Sequence, residues 1–267
     1  MIDQRYLWDT DQFVITRTSW PALEFAEDDP LDEPGDYDED AEDAVDDLLR
    51  EMQKAVTTRG LGELFRFDLA GRRQEKAARI RREHEAGAKW LMERYEKKMT
   101  SMAADLREGR IGYTAWEKSS RAEIETMVRA SHKLGLAQAR GIRAPGDMHL
   151  SEADRAAGNR QVKEQLKYFK GFRVDVRNDL KAGKTLTTAL DNRAGMYGGA
   201  IKSVIIETNL TESRSAVKLR WVRTKEDSCD TCIGAEGREQ TWAEWQAEDL
   251  WPAHNTICLG NCGCSLA

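Results

Sequence analysis

Apolar residues recur with helical spacing through most of the chain. From about residue 72 to 108 they follow one another at steps of three, four and eight, which predicts one long helix. Ala, Glu, Lys, Arg, Leu and Met also dominate residues 41 to 210, and these types favour helix. A buried helix face is predicted for Tyr168, Phe169 and Phe172. This long segment is therefore predicted to be nearly all α.

Capping residues mark where further helices begin. Thr114 is followed three residues later by Glu117, and Ser151 by Asp154, which is the spacing of a capping box. One more, shorter helix is predicted to follow Thr187 through the stretch TALDNRAGMYGGAIKSVIIETNL. The predicted body is a series of helices with separate starts.

The pattern changes near the end of the chain. Val217, Leu219 and Trp221 alternate with polar residues, which predicts a strand that leads into a cysteine pair. The fold class predicted is mainly α, with an elongated helical body and a small C-terminal α+β cysteine-rich cap. The boundaries predicted for the three parts are residues 1–48, 49–213 and 214–267.

Charge separates the first part from the rest. Residues 1 to 49 hold 17 acidic and two basic residues, a net charge of −15, and the remainder carries +9 of the total −6. The segment from 24 to 47 has 14 acidic residues and no basic one. A segment this acidic buries too little surface to offset its ordering entropy, so an apolar segment followed by a flexible acidic arm is expected. The arm is either a solvated linker or a segment that docks on a basic surface.

All five cysteines lie in the last forty residues, after 228 residues that contain none. The first residues lack the basic and apolar regions of a signal peptide, and no segment has the length of a membrane span, so a soluble, unsecreted protein with reduced thiols is expected. Paired cysteines among reduced thiols usually bind metal. The sequence therefore predicts a structural zinc ion.

The spacing suggests which thiolates would bind it. Cys229 and Cys232 form a C-x2-C pair, and the loop CLGNCGC supplies Cys258 and Cys262, so four thiolates can close a tetrahedral site. Cys264 is a substitute ligand, and His254 lies four residues before the loop. Two other interpretations stay open: disulfides that form after assembly or lysis, and thiols that are only packed.

Motifs for catalysis are missing from the sequence. The H-E-x-x-H and H-x-E patterns both fail after His84, and no phosphate-binding glycine loop is present. His84, His132 and His149 are expected at the surface. We therefore expect a protein that is not an enzyme and has no catalytic residues.

The tail carries a family resemblance. Its elements are a tryptophan before C-x2-C, a glycine and a Thr-Trp pair after it, and an N-C-x-C ending: Trp221, Gly237, Thr241, Trp242, Asn261, Cys262 and Cys264. With the helical order before it, this tail resembles the phage head morphogenesis proteins, the Mu F-like minor head proteins. The likeness covers about residues 60 to 267.

The resemblance implies a structural virion protein. Similar proteins lie near the portal and act in head assembly and in DNA packaging or delivery. The expected neighbours are portal and capsid proteins, and packaged DNA is a further expected partner for the basic body. We expect several copies in an assembly made in the host cytoplasm and located in the phage head.

A zinc-containing nucleic-acid-binding protein is the alternative. It rests on the +9 body and on cations placed around one helix in GRRQEKAARIRREHE: Arg72, Arg73, Lys76, Arg79, Arg81 and Arg82. Such a run is more often a solvated face. Affinity for nucleic acid that falls as salt rises distinguishes this alternative.

Overall fold

Helices make up most of the structure, a computed structural model that describes residues 39–58, 71–213, 217–223, 228–256 and 264–266. The prediction of a mainly α fold is confirmed. The helices before the C-terminal part are α1 (Glu39–Thr58), α2 (Gly71–Arg107), α3 (Tyr113–Arg140), α4 (Glu152–Lys181), α5 (Thr188–Gly195) and α6 (Tyr197–Glu212), with a short 3-10 turn at Pro145–Asp147.

Helix α3 is at the centre of the helical part, in contact with α1, α2, α4 and α6. Its Trp116 and Ile124 are fully buried, as are Leu91 and Tyr95 of α2. The predicted apolar face of α2 is thus a core face. An aromatic group of Trp116, Phe169, Phe172 and Tyr197 joins α3 and α4 to α6.

The ends of the helices follow the capping chemistry in two places and depart from it in one. Helix α4 begins with the predicted capping box, in which Ser151 Oγ accepts from the Asp154 amide at 3.1 Å and Asp154 accepts from the Ser151 amide at 3.0 Å. Gly141 ends α3 at a φ of 65°, where glycine is favoured. The start predicted at Thr114 is wrong, because α3 begins at Tyr113 after Gly112 and the threonine lies inside the helix.

The helix predicted after Thr187 is two helices. Thr187 caps α5 as predicted, but α5 ends at Gly195 and α6 starts at Tyr197. Two glycines flank this break, and both lie against α2. A Cβ on Gly195 would lie 3.2 Å from Thr100 Oγ1, and one on Gly198 would lie 3.1 Å from Glu96 Cβ. The break therefore occurs where the backbone approaches α2 closely.

Helix α1 takes in the last part of the acidic run, so the boundary placed at residue 48 falls within a helix. The physical reason is twofold. Apolar residues of α1 such as Leu49 are buried, and some of its acidic residues pair with cations of other helices. Glu42 accepts from Arg155 Nη2 of α4 at 2.7 Å, and Asp46 pairs with the fully buried Lys133 of α3.

A small antiparallel sheet lies near the C-terminus, as predicted in outline. Its strand order is β2–β1–β3. The elements are β1 (Leu219–Val222), α7 (Asp230–Ala235), β2 (Glu239–Gln240), α8 (Trp242–Ala247) and β3 (Ser265–Leu266). Among the described helices, none has the length and apolar character needed to cross a membrane.

Candidate functional site

The C-terminal module consists of the described residues from 217 to 266, and its sheet brings distant parts of the tail together. Strand β1 pairs with β3 so that Trp221 lies opposite Leu266. Residues opposite each other, and residues two apart along one strand, share a face of a sheet. Cys264, two residues before Leu266, thus lies on the buried Trp221 side and is itself 1% exposed.

The first cysteine pair lies at the start of α7. Cys229 is the residue before the helix, and Cys232 is in its first turn. Cys232 and Cys264 are buried in one apolar cluster around Trp221, with Cys229 partly buried at its edge. Cys258 and Cys262 lie outside the described residues.

One observation counts against a zinc site in this cluster and another supports it. Among the described residues, no three His, Cys, Asp or Glu side chains come together as a ligand set, so the predicted four-thiolate site depends on Cys258 and Cys262. Trp221, however, is 1% exposed and its Nε1 has no hydrogen-bond partner in the described chain. A buried N–H without an acceptor is costly, and a thiolate is an acceptor that would satisfy it.

His254, a possible substitute ligand, has other contacts. Its Nε2 lies 2.8 Å from Asp249 Oδ1, and its ring stacks on Trp251 with centroids 3.7 Å apart and planes 3° from parallel. His254 is therefore engaged with its own loop rather than with the described cysteines.

That loop was missed by the sequence reasoning. Asp249, Ala253 and Asn255 all have a positive φ, between 47° and 67°, a conformation that costs energy for residues other than glycine. Asn255 Nδ2 donates to the Asp249 carbonyl at 3.0 Å. The proline and asparagine of WPAHN were the available signals for a tight turn.

Among the described residues of the family-like motif, Gly237, Thr241 and Trp242 each have a structural task in the module, whereas Asn261 and Cys262 lie outside the described residues. Gly237 has a φ of 77°, and its amide donates to the Trp221 carbonyl at 3.0 Å. Thr241 caps α8 in a capping box with Glu244. Trp242 is buried, and its ring meets Trp251 edge-on at 5.3 Å. These side chains build the module rather than line an open site.

Helix α6 carries the module. Ile206 and Leu210 of α6 pack against the tryptophan cluster. Three hydrogen bonds fix the position: Trp251 Nε1 to Ser203 Oγ at 3.0 Å, Trp242 Nε1 to Thr211 Oγ1 at 3.0 Å, and Lys202 Nζ to the Cys264 carbonyl at 2.9 Å.

Two of the histidines predicted at the surface are buried, which corrects that prediction. His132 Nδ1 lies 2.8 Å from Gln161 Oε1 and 3.1 Å from Thr208 Oγ1, so α3, α4 and α6 share a buried polar network. Burial lowers the pKa of His132 and also that of His84. His149 is exposed, as predicted.

Glu207 of α6 is the most perturbed carboxyl near this network. Burial raises its pKa to about 7, and the nearby carboxylate of Glu164 adds to the rise. Asp249 of the C-terminal module raises the pKa further, whereas Gln161 and Arg160 lower it. Glu207 thus responds to charges on both α4 and the module.

Basic residues form a line on α4 that the sequence reasoning did not single out. In the α2 run, Arg79 is bonded to Glu83 at 2.9 Å, and Arg81 and Arg82 are exposed. On α4, six cations recur at helical spacing, a periodicity visible in the sequence. We call them the α4 stripe: Arg160, Lys163, Lys167, Lys170, Arg177 and Lys181.

Comparison of the chain with protein-family models, with curated proteins and with solved structures found no match. What the protein does is therefore inferred from its own residues and contacts.

Proposed function

We propose that the protein is a structural component of a phage head, a minor head protein that acts in head morphogenesis near the portal and in DNA packaging or delivery. The resemblance of the tail motif supports this proposal. The observation that carries it is that described residues of the motif come together in one packed module: Trp221, Trp242 and Cys264 share an apolar cluster, and the Gly237 amide donates to the Trp221 carbonyl.

A structural rather than catalytic role fits how these residues are used. The hydroxyl of Thr241 caps a helix, and the indole N–H groups of Trp242 and Trp251 donate hydrogen bonds to side chains of α6. A motif whose side chains hold a module on a helix is suited to assembly. We therefore propose no enzymatic activity for this module.

The finer fold proposed is an elongated helical body with a cysteine-rich cap fastened by structural zinc. Cys229, Cys232, Cys258 and Cys262 would hold the ion, with Cys264 as a substitute. Zinc bound by four thiolates would supply cross-linking, not chemistry. The buried Cys232 and the unsatisfied Trp221 N–H support a site on this side of the sheet.

The proposed partners are portal and capsid proteins. Several copies of this chain would be present in the phage head, which is assembled in the host cytoplasm. The test is to follow the protein by immunodetection through density-gradient purification of nuclease-treated particles. We expect it to band with DNA-filled heads. Detection only in infected-cell lysate, and never in particles, would overturn the proposal.

A specific variant sharpens this test. Trp242→Ala removes a ring and a hydrogen bond that hold the module on α6, and should reduce incorporation into particles. Trp90→Ala, on α2 and outside the module, is the matched control. Both variants must be expressed at the level of the wild type. Equal incorporation of the two variants would contradict an assembly role for the module.

A further inference from the structure

Glu207 lies on the side of α6 that carries the C-terminal module. Ser203, Glu207 and Thr211 follow one another at steps of four residues, so they share one face of the helix. Ser203 Oγ accepts the indole N–H of Trp251, and Thr211 Oγ1 accepts that of Trp242, each at 3.0 Å. Glu207 therefore lies between the two points at which tryptophans of the module are attached to α6.

The surroundings of Glu207 on α6 are largely buried. Ile206 and Leu210 pack against the tryptophan cluster of the module. Thr208 is buried on the other side, in the polar network with His132. Glu207 is itself only partly exposed. An ionised carboxylate at such a position loses part of its hydration as long as the module covers it.

Charged groups face Glu207 from α4 and from the module. On α4, Glu164 carries a like charge and Arg160 an opposite one, and on the module Asp249 carries a second like charge. Asp249 is also bonded to His254, at 2.8 Å. Burial raises the pKa of Glu207 to about 7, and the two carboxylates add to the rise. The site thus favours a neutral carboxyl.

Helix α3 brings a histidine and an arginine to this part of the fold. His132 Nδ1 lies 3.1 Å from Thr208 Oγ1, and burial lowers the pKa of the ring. Arg140 is bonded to Glu212 at 2.9 Å and to Asp154 at 2.7 Å. Protonation of His132 would disturb its network as pH falls. Its effect on stability is therefore opposite in sign to that of Glu207, whose charge appears as pH rises.

We propose that Glu207 is a proton-controlled latch for the C-terminal module. With a neutral carboxyl the module stays seated on α6. An ionised carboxyl is repelled by Glu164 and Asp249 and regains water when the module lifts, so ionisation favours opening. The latch depends on contacts within this chain and not on the proposed head function.

The pH range of the latch follows from the carboxyl in its two states. When the module is open the pKa is the ordinary 4.5, and when it is seated the pKa is about 7. Opening is therefore least favoured below about pH 4.5, becomes more favoured as pH rises toward 7, and levels off above it. Each pKa unit is about tenfold in the ratio of open to seated molecules. Allowing for partial exposure, we expect at least about a tenfold change from pH 5 to pH 8.

Hydrogen–deuterium exchange of the full chain tests the latch. Mass spectrometry gives protection factors from about pH 5 to pH 8, corrected for the intrinsic exchange rate, for peptides of the module and of α3. The buffers are reducing and the zinc content of each sample is measured. Thiolate sites lose metal toward low pH, so loss of metal would open the module in the opposite direction.

Three variants sharpen the test. Glu207→Gln keeps the size of the side chain and removes its charge. Glu164→Gln removes a like charge at an exposed position of α4, and should therefore lower the pKa of Glu207 without disturbing the fold. Glu85→Gln, at an exposed position of α2, is the matched control.

In the wild type and in Glu85→Gln, protection of the module should fall at least about tenfold from pH 5 to pH 8, with a smaller change in α3. Glu207→Gln should keep the module protected throughout. In Glu164→Gln the fall should be smaller and should level off at a lower pH, because the seated carboxyl ionises more readily.

Three results would overturn the latch. The first is a wild-type module whose protection stays constant or rises with pH. The second is an equal fall in Glu207→Gln, which would assign the pH dependence to another group. The third is an equal fall in the module and in α3, which would mean that pH acts on the whole fold rather than on the attachment of the module.

Discussion

Trp221 combines nearly complete burial with an indole N–H that has no partner among the described residues. The other buried tryptophans of the module all donate: Trp242 to Thr211, Trp245 to the Leu219 carbonyl and Trp251 to Ser203. The exception lies on the sheet face shared with Cys264. At the scale of single residues, this N–H is the best marker of where an acceptor such as a thiolate would lie.

Trp221→Phe keeps an aromatic ring and removes the N–H. If metal-bound thiolates accept from it, zinc affinity should fall by about 10- to 100-fold, as for other outer-shell partners. Trp245→Phe is the matched control, because its N–H already has an acceptor at 3.3 Å. Competition with a chromophoric chelator under reducing conditions measures the affinity. Equal zinc affinities for the two variants would count against a thiolate acceptor at Trp221.

Glu207 gives a second prediction at this scale. Its pKa is raised from 4.5 to about 7, so the folded state binds the proton more tightly than the unfolded state. Its contribution to stability is therefore greatest below about pH 4.5 and is lost as pH rises through 7. Glu207→Gln should raise the free energy of unfolding by roughly 1–2 kcal/mol at pH 8, after allowance for partial exposure, and by much less at pH 5.

Urea denaturation at the two pH values checks the Glu207 prediction. Glu85→Gln, a change of an exposed carboxyl on α2, is the control and should leave the difference between the pH values unaltered. The same increment for Glu207→Gln at pH 5 and pH 8 would refute a carboxyl that ionises near neutrality.

Among the elements, α3 and α6 pack closely against each other at Gly135. A Cβ there would lie 2.8 Å from the Ile205 carbonyl oxygen and 2.8 Å from Thr208 Cβ. Because one of these atoms belongs to the backbone of α6, the helix itself would have to move. Thr208 also belongs to the buried network with His132. The closeness of this crossing positions α6, which in turn carries the C-terminal module.

Gly135→Ala should lower the free energy of unfolding by about 1–3 kcal/mol, although alanine favours helix by about 1 kcal/mol. Gly234→Ala is the matched control, since nothing lies within 4 Å of a Cβ at that position in α7. The control should be as stable as the wild type or slightly more stable. Thermal or urea unfolding measures the stability of both variants. A Gly135→Ala protein as stable as the control would mean that the crossing is not tight.

Some local signals predicted helix ends correctly, although the same capping-box spacing at Thr114 predicted a wrong start. The capping box at Ser151 acts within one turn of the backbone, so the helix start predicted from it agrees with the structure. The break at Met196 arises instead from close packing of glycines on α2, and burial of His132 depends on partners in α4 and α6. Such long-range contacts leave no periodic mark in one sequence. The burial predicted for Tyr168 is wrong: its side chain is 61% exposed, although Phe169 and Phe172 of the same predicted face are buried.

At the scale of the molecule, the described residues form two large apolar clusters, one among α1 to α6 and the other around the tryptophans of the C-terminal module. The sequence predicted the tail as a separate cysteine-rich part, because the strand alternation and cysteine spacing are local. Its attachment through Ser203 and Thr211 of α6 could not be predicted, since these residues carry no motif.

Removal of the metal should loosen the cluster of the C-terminal module and leave the cluster among α1 to α6 largely unchanged. Protein purified under reducing conditions without added zinc is expected to hold about one zinc per chain, consistent with a closed four-thiolate site. A chelator should release the zinc, expose thiols and change tryptophan fluorescence, with little loss of helical circular dichroism. Elemental analysis and thiol titration measure this. Absence of metal together with freely reactive thiols would contradict the zinc proposal.

The central claim, a minor head protein near the portal, is tested most directly by absolute quantification in purified virions. Mass spectrometry with isotope-labelled peptides from this chain, from the portal and from the major capsid protein gives copies per particle. The account predicts a small, constant number in proportion to the portal ring. No copies in DNA-filled particles, or a number that follows the capsid shell rather than the portal, would contradict it.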